Sequence, residues 1–162
     1  CCFMLAFLRD RNDAQSVIDI FNYLEELFEV ETFKKLFPVI LTDNGSEFSN
    51  PKEIEYSHLT GEQRTKIFYC EPGRPDQKGS CEVNHEMIRR ILEKKTSFDN
   101  LTQEDINLMM SHINSYKRKK LNNSSSLEMF NLIYGNDIAT KLNILEIKSN
   151  DINLTPSLLK KN

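Results

Sequence analysis

Two acidic segments carry the residues best suited to chemistry. The first is Thr42-Asp43-Asn44-Gly45-Ser46-Glu47-Phe48, where Asp43 directly follows the apolar run 38–42. A carboxylate at the C-terminal end of a strand sits where an open α/β sheet leaves a crevice for a ligand. Asn-Gly lets the chain turn sharply behind it. The second is Lys78-Gly79-Ser80-Cys81-Glu82-Val83-Asn84-His85-Glu86-Met87-Ile88-Arg89-Arg90. On a helix Glu82, Glu86, Arg89 and Glu93 share one face. Taken singly, each has a plain alternative. Asp-Asn-Gly is also an ordinary turn, and a Glu/Arg face is also a solvated surface with pairs worth about 0.2–0.5 kcal/mol each. Cys1, Cys2, Cys70 and Cys81 contain no CxxC, and His58, His85 and His112 form no pair at ligand spacing. They read as ordinary thiols and imidazoles rather than a zinc site or disulfides.

The elements that must position these residues follow from periodicity. The apolar run Cys1–Leu8 ends at Arg9-Asp10-Arg11-Asn12-Asp13 and predicts a buried strand followed by a polar turn. Val17, Ile20, Phe21, Leu24, Leu27 and Phe28 recur at helical spacing, with Asp13 placed to cap the helix. Glu25, Glu26 and Glu29 lie off that stripe, which predicts a wet face. Residues 38–42 and 66–70 predict two further strands, and one helical turn is expected near residues 57–59. The two Pro and one Gly of 71–76 predict a loop. A helix is expected over 77–95, with Val83, Met87, Ile88, Ile91 and Leu92 on its apolar side and no Pro or Gly to stop it after Glu93. Another follows Leu101, with Thr102 and Asp105 at capping-box spacing. The cationic run 117–120 is expected to close that helix. A polar linker over 122–126 then leads to a short helix ended by Gly135.

The 162 residues suit one domain of ordinary globular composition, and no apolar run approaches the ~20 residues of a membrane span. This predicts a soluble, intracellular, cytoplasmic protein with no membrane partner. The net charge of −3 hides an asymmetry. Residues 1–62 hold 5 Lys/Arg against 12 Asp/Glu, and the rest hold 16 against 12. A basic second half suits a polyanion and equally an ordinary solvated surface. The chain opens on Cys1 rather than Met, which predicts a piece of a longer chain.

Together the two segments become specific. A strand, Thr-Asp-Asn-Gly-Ser-Glu-Phe, a second strand ending in Tyr69-Cys70-Glu71-Pro72, and then Gly79-Ser80-Cys81-Glu82 resemble the catalytic core of insertion-sequence transposases and retroviral integrases. The resemblance is closest to the insertion-sequence-thirty family. It implies an α/β, ribonuclease H-like fold, a central mixed sheet flanked by helices, over residues 1–130. Residues 131–162 form a C-terminal tail. The resemblance also implies an Asp-Asp-Glu triad in which Asp43 is the second acid and Glu82 the glutamate. Asn44, Lys78, His85, Arg89, Lys117 and Arg118 then face DNA. Hard carboxylate oxygens imply Mg²⁺ or Mn²⁺, with two ions expected only on a complete triad. The implied activity is DNA cleavage and strand transfer on element ends and target. A homo-oligomer on DNA at the nucleoid is the implied assembly.

The departures from the pattern bear on that activity. The first aspartate and first strand are expected upstream of Cys1, so residues 1–162 alone are expected to be inactive. A reading of another class is a non-catalytic remnant that only binds nucleic acid or a protein.

Overall fold

The computed structural model describes residues 2–71 and 79–160, with the backbone alone for 79–83. The chain divides into two compact units, Arg9–Gln77 and Cys1–Leu8 with Lys78–Asn162.

In the first unit, α1 spans Ala14–Leu36. Asp13 caps it by accepting the Ser16 N–H at 2.8 Å, and that bond holds its carboxyl below the ordinary value of 3.8. Val17, Ile18, Leu24, Phe28 and Phe33 are buried. At Glu29 the backbone leaves the helix, with φ 64° and ψ 157°. Strand β1 (Ile40–Thr42) pairs in parallel with β2 (Ile67–Tyr69), Ile40 opposite Ile67 and Thr42 opposite Tyr69. Between them come a 3₁₀ turn, Ser46–Phe48, and α2 (Pro51–Glu55), which has Pro at the start of the helix, where no N–H is needed. This places the expected helical turn earlier than residues 57–59. Val17, Ile18, Ile54 and Ile67 form a core against which Phe21, Ile40 and Phe48 pack.

Glu25 corrects the expected wet face. It is fully buried and paired with the equally buried Arg64 at 2.7 Å. The remaining Arg64 donors reach the Ile54 carbonyl (2.8 Å), the Asn22 amide oxygen (2.8 Å) and the Glu53 carbonyl (3.1 Å). The guanidinium also lies 5.1 Å from the Phe33 ring centre. His58 extends the network, with Nδ1 2.8 Å from Glu25 and Nε2 2.9 Å from Glu26. A helical stripe read from apolar residues alone misses a buried acid whose cation lies 39 positions away.

In the second unit, α3 spans Gly79–Ile91 and α4 spans Gln103–Ser115. The Thr102–Asp105 capping box forms as expected, with Asp105 in place of the usual Glu or Gln. The expected strand at Cys1–Leu8 is not one over the described residues 2–8. Its backbone groups find side chains instead of a ladder. Met4 donates its N–H to Asn114 Oδ1 (2.9 Å) and accepts from Asn114 Nδ2 (2.7 Å). Gln103 likewise accepts from Leu8 N–H (2.9 Å) and donates to the Ala6 carbonyl (3.0 Å). The two α4 amides do what a neighbouring strand would do.

Two more expectations are corrected here. Helix α3 does not run on past Glu93. It ends at Ile91, and Lys95 takes φ 72°, a left-handed exit without Gly. Residues 117–120 do not close α4. After Ser115, β3 (Lys117–Arg118) pairs antiparallel with β4 (Ser124–Ser125). Asn122 (φ 53°) and Asn123 (φ 61°) sit between them in the left-handed region that Asn tolerates. Helix α5 (Ser126–Tyr134) ends at Gly135 (φ 88°) as expected, and α6 (Asn136–Lys141) follows. Ala139, Leu142 and Ile144 are buried. Leu145, Ile147 and Asn153 donate backbone N–H groups to Ser111, Ser115 and His112 of α4, all at 3.0 Å.

The architecture is therefore mixed α/β. Among the described residues it holds one parallel and one antiparallel two-stranded sheet rather than the expected central mixed sheet. No described helix is long and apolar enough to cross a membrane.

Candidate active site

Parallel pairing brings the C-terminal ends of β1 and β2 to the same edge. Asp43 follows β1 directly at that edge and is exposed. The Cys70 N–H donates to the Thr42 carbonyl at 2.7 Å, so the pairing continues up to the residue before Asp43. Beyond Asp43 the loop is tied at two points. Asn44 Nδ2 donates to the Cys70 carbonyl at 3.5 Å, and the Tyr69 hydroxyl donates to the Phe48 carbonyl at 2.6 Å. Gly45 leaves room for the Glu47 carboxylate, which a Cβ there would overlap. The loop thus presents a carboxylate on a base fixed by β2.

Glu82 lies in the first turn of α3, and its side chain falls outside the described residues. Lys78 also lies outside them. Asp43 and Glu82 belong to different compact units. Of the expected α3 stripe, Met87, Ile91 and Leu92 are buried and Ile88 is half-buried, with the Val83 side chain outside the described residues, while His85, Glu86 and Arg89 are exposed. Among the described residues no three His, Cys, Asp or Glu side chains group as a metal centre. Hard oxygen donors are what Mg²⁺ or Mn²⁺ requires, and the exposed Asp43 supplies one.

Lys117 is exposed, with its ammonium 3.7 Å from Glu128, the acid of the α5 capping box. Arg118 is half-buried. Its Nη1 donates to Asn84 Oδ1 at 3.0 Å, while Nε and Nη2 are buried without a hydrogen-bond partner among the described residues. Burial pulls its guanidinium below the ordinary arginine value, against a smaller upward pull from Cys2. The hairpin is thereby joined to α3 two residues beyond Glu82. Asn84 was not singled out in the sequence. Its signal is present there, because it stands at the position of the apolar stripe three residues before Met87.

Known proteins resemble this chain over part of its length. It is 34% identical over 91 residues to a protein of Spiroplasma virus SpV1-R8A2 B described as an integrase, a match covering 56% of this chain and 27% of that one. It is 30% identical over 94 residues to the transposase for insertion sequence element IS1086 of Cupriavidus metallidurans, covering 58% and 26%. It is 32% identical over 79 residues to the transposase InsI for insertion sequence element IS30A of Escherichia coli, covering 49% and 19%. The matched segments span about a quarter or less of these relatives. The chain matches no protein-family model, and no solved structure matches it. The resemblance to insertion-sequence transposases, including the insertion-sequence-thirty type, is borne out by these relatives.

Proposed function

With insertion-sequence transposases as its relatives, we propose that this chain is part of a transposase catalytic core of ribonuclease H-like, Asp-Asp-Glu type. The observation that carries the reading is Asp43. It stands exposed at the C-terminal end of a parallel strand, where α/β folds place ligands, inside the segment Thr42–Phe48. Asp43 and Glu82 act as hard-oxygen ligands. Bound Mg²⁺ or Mn²⁺ would supply Lewis-acid activation of a DNA phosphodiester. Asn44, Lys78, His85, Arg89 and Lys117 hold the nucleic-acid backbone in place, a task for cations and amides rather than for metal ligands. The working form is a homo-oligomer on element ends and target DNA.

The test is metal-dependent cleavage and joining of element-end DNA by the whole protein that carries this chain. Asp43→Asn and Glu82→Gln should each cut the rate by about 10³-fold, several kcal/mol of transition-state stabilisation, with DNA affinity nearly unchanged. A Glu82→Gln protein that cleaves normally beside an inactive Glu86→Gln protein overturns the assignment of Glu82. DNA binding without cleavage in the unsubstituted protein would make it a binding remnant.

A further inference from the structure

We propose that Asn44 is a site of self-deamidation, at which the loop after β1 converts its own amide to a carboxylate beside Asp43. Asn44 is exposed and is followed by Gly45, which has no side chain to shield its amide nitrogen. Among the described residues the Asn44 side chain makes one hydrogen bond, from Nδ2 to the Cys70 carbonyl at 3.5 Å, the outer limit for such a bond. The Gly45 N–H donates to no acceptor among the described residues, although the Gly45 carbonyl takes the Phe48 N–H at 3.0 Å. Four other exposed asparagines, Asn100, Asn122, Asn143 and Asn150, lack that freedom. The amide after each is held by a backbone carbonyl: Leu101 by Phe98 (3.0 Å), Asn123 by Arg118 (3.1 Å), Ile144 by Ala139 (3.0 Å) and Asp151 by Lys148 (2.8 Å). Each of those nitrogens must give up a hydrogen bond before it can attack, a cost that Gly45 does not meet.

Water is the only co-reactant. The Gly45 nitrogen gives its proton to base and attacks Asn44 Cγ. The new bond closes a cyclic imide, and the bond from Cγ to Nδ2 breaks as ammonia leaves with the proton that Gly45 gave up. Water then opens the ring. Attack at Cγ leaves aspartate. Attack at the main-chain carbonyl carbon leaves isoaspartate, with the chain routed through the side chain. Either product sets a carboxylate next to that of Asp43 and loses the donor that reaches Cys70. Two adjacent negative charges repel a polyanion more strongly than one, and attract a cation more strongly. Isoaspartate also lengthens the main chain by a methylene, between β1 and the Tyr69 bond to the Phe48 carbonyl. None of this depends on what the loop binds.

The test incubates the chain in mildly alkaline buffer, folded and in urea, and follows each asparagine by peptide mass spectrometry with isoaspartate detection. In the folded chain Asn44 should convert at least about tenfold faster than Asn100, Asn122, Asn143 and Asn150, a barrier lower by about 1.4 kcal/mol. Urea should speed those four more than it speeds Asn44, because only they lose a protecting bond. Asn44→Gln should abolish the main isoaspartate signal. An Asn44 that converts in urea but stays intact in the folded chain overturns the proposal, since the fold then protects it. Folded-state conversion no faster than at the other four overturns it as well, and so does a main signal that survives in Asn44→Gln. Where circular dichroism shows the Gln variant unfolded, the peptide maps of the unsubstituted chain decide alone.

Discussion

Arg64, fully buried, and Arg118, half-buried, are two guanidinium groups used in opposite ways. Burial pulls both below the ordinary arginine value. In Arg64, Nε, Nη1 and Nη2 all have partners, and one of these is the carboxylate of the fully buried Glu25. In Arg118, among the described residues, only Nη1 has a partner, the neutral amide of Asn84. Both arginines carry a desolvation cost. One offsets it inside the protein and stabilises the packing of α1 against α2. The other leaves Nε and Nη2 buried with no partner among the described residues. A buried arginine is thus read by its donor ledger, not by its exposure.

The largest effect should come from breaking the Arg64 network. Arg64→Met leaves Glu25 buried without its cation and should cost about 3–5 kcal/mol in urea denaturation of the chain. Glu25→Leu with Arg64→Met should recover most of that loss, since two apolar side chains replace two charges. A double variant no more stable than the single one would mean that His58 and the backbone carbonyls, rather than the ion pair, hold this region together.

Asn114→Ala comes next. Asn114 is fully buried and makes both bonds to the Met4 backbone, so its loss should cost about 2–3 kcal/mol and expose the Met4 amide to hydrogen exchange. Unchanged protection of Met4 would show that apolar packing, such as the Phe3–Phe130 stack at 4.1 Å, holds residues 2–8 without the amide.

His112 is a third buried base with one committed nitrogen, because Nδ1 accepts the Asn153 N–H at 3.0 Å. Burial lowers its pKa from the ordinary 6.5, opposed by Asp151. The neutral form is therefore favoured in the folded state. The unfolded chain takes up the proton first as pH falls, so this stability is present above 6.5 and is lost below it. His112→Gln should flatten the fall in stability between about pH 7 and pH 5. A parental pH profile in that variant would assign the acid sensitivity to other groups.

The smallest effect is expected at Arg118. Arg118→Met loses the Asn84 bond but also removes two unpartnered donors, so stability should stay within about 1 kcal/mol of the parent. A loss as large as that of Arg64→Met would erase the contrast between the two arginines.

The legible parts of this molecule are those settled by near neighbours. Asp13, the Thr102–Asp105 box and the Gly135 stop act within a few residues of their partners, so spacing alone reveals them. Strands β1 and β2 and the place of Asp43 at the end of β1 were legible from short apolar runs bounded by turn residues. What escaped depends on partners far along the chain. Glu25 is buried only because Arg64 reaches it, and residues 2–8 lack a ladder only because Asn114 and Gln103 supply amides. The run 117–120 reads as a helix end until two asparagines adopt left-handed φ values and fold it into a hairpin. In the site, types and order were legible, whereas the tie from Arg118 to Asn84 needed three-dimensional contact.

The break at Glu29 gives α1 a second character. Its φ and ψ lie in a region that is almost the preserve of glycine, at a cost of about 1–3 kcal/mol. Glu29→Gly should therefore stabilise a helix in which glycine elsewhere does harm. The break also divides the macrodipole. Peptide dipoles add only along an uninterrupted run, so α1 is electrically two short helices. The second begins beside Glu31 and ends on Lys34 and Lys35, an acid at its positive end and bases at its negative end. Its charges are arranged as if residues 30–36 were a helix in their own right.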